Sequence, residues 1–308
     1  MKTRWPKVVA VCILVVAAVF AIAFDRTRDP SPTRPTLVDA SIFGVVEGIT
    51  EFLPISSTGH LLVADRVLAV GRDDRTKDAA DTFTVFIQTG AMFAVLWLYR
   101  RRFESLTLGV LGRDAEGRRI AGLLAVSFLP AAVVAFAFGD RIKAELFKPG
   151  SVAIAWVVGG LAMIGLRWVR RANIGVRTLA GVGRRDALII GLSQCIALWP
   201  GVSRSLVTIV AALLCGLSLA TAVEYSFLLG AVTLTAAGVY ESGTNGSMLI
   251  DVFGWAPLVV GLLFAFAAAV VSIQWLLDRL RPSTFVGFGC YRVAAGVLVV
   301  VLVLAGVW

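Results

Sequence analysis

Between Gly44 and His60 the chain reads Gly44-Val-Val-Glu47-Gly-Ile-Thr-Glu51-Phe-Leu-Pro54-Ile-Ser56-Ser57-Thr58-Gly59-His60. Two carboxylates, three side-chain hydroxyls in a row and the only histidine of 308 residues fall in this stretch. Glu47 and Glu51 are one helical turn apart and share a face. Such a pair can hold a hard divalent cation, Mg²⁺ or Ca²⁺, or one of the two can act as a base. Ser57 is a candidate nucleophile and His60 a candidate acid or base, three positions apart on one helix face. Ser56, Ser57 and Thr58 stand where a helix would restart after Pro54, and the free N–H groups of a helix start suit phosphate. The spacing leaves open whether a phosphoserine forms or water attacks directly. The bland alternative is a capped break between two core helices.

The elements that must position these groups are membrane helices. The chain is 58% hydrophobic and 16% charged, with a mean hydropathy of +0.86, which predicts an all-α, polytopic membrane protein. The formal net charge of +9 does not point to nucleic acid. Its arginines lie between apolar runs, as cytoplasmic loops require. Cys12, Cys195, Cys215 and Cys290 are scattered through apolar runs and read as small core residues, without a C-x-x-C pair. Inside a membrane a buried carboxylate is costly and is usually functional.

Residues 1–36 read as an N-terminal extension, and 37–308 as the membrane domain. Within the extension, 8–24 is an apolar run expected to span uncleaved, although Ala21-Ile-Ala23 resembles a cleavage site, and 25–36 is a Pro-rich linker. The apolar arms on either side of Pro54 are too short to cross a bilayer, so 41–70 is expected to be a re-entrant helix hairpin. Spans are expected at about 83–99, 120–139 and 151–168. The pattern then returns as Gly191-Leu-Ser-Gln194, Pro200 and Ser203-Arg204-Ser205, followed by expected spans at about 221–241, 254–277 and 287–307. Two repeats follow, about 37–170 and 186–308, each a hairpin plus three spans. An odd number of spans makes them inverted. The positive-inside rule agrees: loops 100–119 and 167–185 and the Arg279/Arg281 loop fall inside, and 140–150 and 241–253 fall outside. Inverted repeats with broken helices form their site near the midplane. Arg204 is the natural phosphate clamp there, because guanidinium binds phosphate bidentately. Ser203, Ser205 and Thr208 surround it, and Gln88 and Gln194 are weaker candidates whose alternative is interhelical hydrogen bonding.

These motifs resemble the undecaprenyl-diphosphate phosphatase family, the BacA type associated with bacitracin resistance. The resemblance rests on Glu47-Gly-Ile-Thr-Glu51-Phe-Leu-Pro-Ile-Ser-Ser-Thr-Gly-His60 and on Ala197-Leu-Trp-Pro-Gly-Val-Ser203-Arg204-Ser205-Leu-Val-Thr208. Phe86-Ile-Gln88-Thr-Gly90 and Glu224-Tyr-Ser226-Phe-Leu-Leu229 support it, and it covers about 37–308. Two departures stand out: Leu206-Val207 replaces the family's usual small pair and is expected to crowd the second hairpin, and Val232 stands where a proline is usual. The resemblance implies removal of the terminal phosphate from a C55 isoprenoid diphosphate, which regenerates the carrier for cell-wall precursors. It implies dependence on a divalent cation and a site at the outer face of the bacterial plasma membrane. The residues' own chemistry makes Glu47, Glu51, Ser57, His60 and Arg204 the catalytic candidates, with Ser56, Thr58, Ser203, Ser205, Thr208, Gln88 and Gln194 expected around the substrate. The expected partners are a polyprenyl diphosphate lipid, the bilayer and, as one option, a second copy of the chain. The competing reading is a lipid-phosphate flippase or transporter using the same anion site. An acid–base cluster favours an enzyme, and an ion channel is disfavoured because no continuous polar stripe is visible.

Overall fold

The computed structural model describes residues 36–68, 70, 74–169 and 175–305. The expected apolar span at 8–24 lies outside these. Among the described residues the chain is helical throughout, with eleven α-helices and no β-strand. These are α1 (Leu37–Thr50), α2 (Ser57–Leu68), α3 (Asp74–Leu98), α4 (Arg100–Val110), α5 (Ala115–Leu146), α6 (Pro149–Val169), α7 (Arg184–Gln194), α8 (Arg204–Leu214), α9 (Leu219–Phe253), α10 (Trp255–Asp278) and α11 (Pro282–Leu304). Five of them, α3, α5, α9, α10 and α11, contain stretches long and apolar enough to cross a membrane, and Pro149–Gly165 in α6 is a shorter apolar stretch. The chain is a multi-pass membrane protein.

Local chemistry sets the helix starts. Thr36 and Asp39 form a reciprocal capping box at α1, with Asp39 N donating to Thr36 Oγ1 at 3.2 Å and Thr36 N to Asp39 Oδ2 at 2.8 Å. Asp114 caps α5, and Ser203 and Ser218 cap α8 and α9 through single side-chain acceptors. Behind α6, Arg177 grips Asp186 at 2.6 Å and the Cys215 carbonyl at 2.7 Å, which ties the preceding loop to α7.

Both expected hairpins form, as short helix, break, short helix: α1 and α2 around Pro54, and α7 and α8 around Pro200. Three expected loops differ. Arg100–Val110 is the separate helix α4. The expected outer loops are largely helical: α5 runs on to Leu146, and α9 continues through 241–253 until Gly254, at φ +72°, stops it. No proline interrupts 241–253, and its two glycines, Gly243 and Gly246, cost only about 1 kcal/mol each in a helix. At ~1.5 Å per residue α9 is roughly 50 Å long, so it projects beyond a ~30 Å hydrocarbon core. Among the cysteines, Cys12 lies outside the described residues, Cys195 and Cys215 are half-buried, and Cys290 is exposed on α11 rather than packed in the core.

The two halves interlock reciprocally. Arm α1 of the first hairpin lies on α10 of the second half, and arm α7 of the second hairpin lies on α5 of the first. Helices α3 and α9 pack on each other, as do α6 and α11. Small residues allow the close approach: a Cβ on Gly44 would sit 2.3 Å from the Gly261 carbonyl oxygen, and one on Gly48 would sit 2.2 Å from that of Ala265. The main core gathers around Phe52, Tyr225 and Phe227, beside the two breaks. Large apolar side chains such as Phe136 and Val133 on α5 point outward, as lipid contact allows.

Candidate active site

The two breaks meet. The first turn runs from Glu51 through Ser56, and the second from Trp199 through Ser203. Ser205 Oγ donates to the Leu53 carbonyl at 3.0 Å, which stitches the second hairpin to the first turn. Arg204 Nη2 donates to Glu51 Oε1 at 2.6 Å, an ion pair that spans the halves. Its Cζ stands 5.8 Å from the centre of the Phe52 ring. Helix α9 makes room for it at Gly230, where a Cβ would sit 2.0 Å from Arg204 Nη1.

Glu51 faces two ways. Its second oxygen, Oε2, accepts a short hydrogen bond from Ser57 Oγ. A hydroxyl, a carboxylate and a guanidinium therefore stand in line. That is the arrangement of a nucleophile, a base and a group that orients the base. Helical spacing suggests His60 as the neighbour of Ser57, but the hydroxyl is turned to Glu51. His60 instead places Nδ1 2.7 Å from the Ser56 carbonyl oxygen and Nε2 2.6 Å from the Tyr291 hydroxyl. Its ring lies between Trp156, at a centroid distance of 4.7 Å, and Tyr291.

Buried polar atoms without partners mark where a ligand would contribute. Glu47 is fully buried, with the Glu51 carboxyl against it and the Arg204 charge nearby, and among the described residues no amide, hydroxyl or guanidinium donor reaches either of its oxygens. Arg204 Nη1 and Gln194 Nε2 are buried donors without acceptors among the described residues. Gln194 Oε1 accepts from Thr233 Oγ1 at 3.5 Å, on the α9 turn next to Gly230. Two acceptors and two donors are thus left open, as a cation and an anion bound together would need.

The other predicted residues divide. Ser203 caps α8 by accepting from Leu206 N at 3.2 Å and lies 2.9 Å from Ser205 Oγ. Thr208 bonds to the Arg204 carbonyl at 2.8 Å and to Ser226 Oγ at 2.7 Å. These hydroxyls brace the second hairpin. Thr58 and Gln88 are half-buried on α2 and α3 and stay outside the network. Ser56 takes a left-handed φ of +74°, unusual for a residue with a side chain. The crowding expected from Leu206-Val207 is absorbed: Leu206 is buried in the main core.

Sequence reasoning missed Trp156, Tyr291 and Arg292. Arg292 was detectable, because an ionisable residue within an apolar run is by default a functional candidate. The aromatic residues gave no such signal.

A membrane protein with two interlocked helical breaks, and a serine, paired glutamates and an arginine where they meet, has the groups that can bind and act on a phosphate at the bilayer. The chain belongs to the family of the bacitracin resistance protein BacA, whose pattern matches residues 40–298. It is similar to an undecaprenyl-diphosphatase of Sorangium cellulosum, 46% identical over 85% of this chain and 84% of that one. Undecaprenyl-diphosphatase 2 of Rhodospirillum rubrum is 43% identical over 88% of this chain and 96% of its own length. An undecaprenyl-diphosphatase of Deinococcus deserti is 41% identical over the same shares, 88% and 96%.

Proposed function

We propose that this protein hydrolyses undecaprenyl diphosphate to undecaprenyl phosphate and inorganic phosphate, which recycles the lipid carrier of cell-wall synthesis and underlies resistance to bacitracin. The observation that carries the mechanism is the Ser57–Glu51–Arg204 line. Ser57 Oγ attacks the terminal phosphorus and its proton passes to Glu51. The phosphoanhydride bond breaks, with undecaprenyl phosphate leaving. Water then cleaves the phosphoserine and returns the serine. Arg204 has one nitrogen on Glu51 and a free Nη1, so it orients the base and meets the charge that grows on the phosphoryl oxygens.

Glu47 and Glu51 would hold the divalent cation. No group of three or more His, Cys, Asp or Glu side chains with metal-site geometry occurs among the described residues. Phosphate oxygens and water would complete the shell, as suits Mg²⁺ better than a protein-built Ca²⁺ cage. The cation would supply positive charge against the diphosphate, and the Glu47 oxygens, which no donor reaches among the described residues, would be free to bind it. The reciprocal packing of the halves and the arginine distribution support inverted repeats in the plasma membrane, with the site reached from the outer face.

Purified protein should release inorganic phosphate from undecaprenyl diphosphate, stop when divalent cations are chelated, and recover with Mg²⁺. If it binds the lipid but releases no phosphate with cation present, the site is a transport site rather than a hydrolase. In intact cells a Ser247→Cys variant, exposed at the end of α9, should react with an impermeant thiol reagent, and Val176→Cys should not. The reverse pattern would turn the molecule over.

A further inference from the structure

Arg292 is the largest fully buried side chain among the described residues. It lies in α11, which is otherwise apolar around it, and takes part in no ion pair among the described residues. A buried, unpaired cation is expensive in a membrane, and a helix that merely spanned would not keep it. Its guanidinium joins three segments instead. Nη1 donates to the Pro54 carbonyl at 3.4 Å, in the first turn. Nη2 donates to the Gly201 carbonyl at 2.9 Å, in the second turn, and to the Ala155 carbonyl on α6, also at 2.9 Å. Irregular backbone within a membrane needs donors for its carbonyls, and one side chain serves both turns. Helix α6 leaves space for it at Gly159, where a Cβ would sit 2.4 Å from Arg292 Nη2.

The preceding residue serves the same site. The Tyr291 ring is nearly parallel to the His60 imidazole, at 7° and a centroid distance of 5.7 Å. A backbone carbonyl only accepts, so the contact with Ser56 places the hydrogen of a neutral imidazole on Nδ1. Nε2 is then an acceptor for the Tyr291 hydroxyl, 2.6 Å away.

We propose that Tyr291 and Arg292 are positioning residues of the hydrolase: Arg292 sets the distance between the turn that leads into Ser57 and the turn that leads into Arg204, and Tyr291 fixes the orientation of His60. The inference rests on the phosphatase reading of the site. Neither residue is assigned a contact with substrate. The effect should therefore fall on the rate of the chemical step, where a misplacement of ~1 Å can cost about a hundredfold.

The test measures kcat and KM for phosphate release from undecaprenyl diphosphate by the full-length wild type, Arg292→Lys, Gly159→Ala and Tyr291→Phe, each normalised to folded, monodisperse protein. Arg292→Lys keeps the charge but gathers its donors on one nitrogen, whereas the guanidinium divides them between Nη1, toward the first turn, and Nη2, toward the second turn and α6. Gly159→Ala leaves Arg292 in place and pushes its head off the turns, in a helix that tolerates alanine well. Both should lose roughly tenfold or more in kcat, with KM within about threefold. Tyr291→Phe should move the pH dependence of kcat/KM, and that difference should vanish in a His60→Asn background. A wild-type kcat in folded Arg292→Lys or Gly159→Ala overturns the proposal, as does a Tyr291→Phe profile that superimposes on the wild type. Where Arg292→Lys fails to insert, Gly159→Ala decides. If the wild type itself releases no phosphate, the reading of the site fails and takes the inference with it. An active wild type beside unchanged variants sinks the inference alone.

Discussion

The two hairpins are one backbone device carrying opposite chemistry. Each is a short helix, a proline break and a second short helix, with glycine three residues before a carboxyl or amide side chain. In the first hairpin the groups that face the junction are acceptors or can become nucleophilic: Glu47, Glu51 and Ser57. In the second they are donors: Gln194 Nε2 and Arg204 Nη1. The breaks differ as well. The first turns through Ser56 at φ +74°, and the second through Gly201 at φ +90° after a 3-10 stretch at Cys195–Leu198. Alignment at the prolines pairs Ser57 with Ser203. Yet Ser57 gives its hydroxyl to a carboxylate, while Ser203 spends its oxygen on the N-terminus of α8. Hairpins of one backbone form therefore need not carry the same chemistry, and these two complement each other where they meet.

The sharpest break of this comparison is at the paired serines. Ser57→Ala should lose on the order of a thousandfold or more in kcat, because the proposed nucleophile is removed. Ser203→Ala should mainly weaken the start of α8, by about 1 kcal/mol, and keep activity within roughly tenfold. Phosphate release and thermal unfolding of both variants would measure this. Equal losses of activity would mean that both halves carry catalytic hydroxyls.

A smaller effect should follow from the helix that receives Arg204. Glu51 holds its guanidinium at 2.6 Å on one side and the Phe52 ring stands beside it, so the head has little freedom to yield. Gly230→Ala would put a methyl 2.0 Å from Nη1 and 2.8 Å from Cζ. We expect a loss in kcat/KM of about tenfold to a hundredfold with the fold retained. Gly238→Ala on the same helix is the control, since its new carbon meets only Thr89 Oγ1, at 3.2 Å. If Gly230→Ala were as active as Gly238→Ala, the position of Arg204 would not matter to the reaction.

Much of this was legible in the sequence, for physical reasons that also mark where legibility stops. Apolar arms too short to span, each broken at a proline, announced both hairpins. Glu47, Glu51 and Arg204 announced themselves as charges where charge is costly. What spacing could not supply was side-chain direction. His60 and Ser57 share a helix face, but the turn before α2 swings the Ser57 hydroxyl to Glu51 and leaves His60 to Tyr291, 231 positions away in sequence. Thr58 and Gln88 fit the motif pattern and stay outside the network. Helix ends were misplaced where no proline or glycine φ forces a stop, so α9 ran through the expected loop to Gly254.

The smallest effects lie in the backbone of the breaks. At Gly201 an added Cβ would meet Val152 O at 2.8 Å, Val152 Cα at 2.9 Å and Ala155 Cβ at 3.0 Å, and the φ of +90° already disfavours a side chain. Gly201→Ala should therefore destabilise the protein by about 1–3 kcal/mol. Ser56 already bears a side chain at positive φ, at a cost of about 1 kcal/mol, the low end of that range. Ser56→Gly would relieve that strain and add back about 0.5–1 kcal/mol of chain entropy in the unfolded state, so its stability should stay within roughly 1 kcal/mol of the wild type. Glycine is the easier residue at this φ, and Ser56 occupies it directly before Ser57 at the junction of the two breaks. On that ground Ser56→Gly should lower kcat/KM by about threefold to tenfold while the melting temperature barely moves. If activity were also unchanged, the strain at Ser56 would be incidental, and only the second hairpin would have a turn residue dictated by its surroundings.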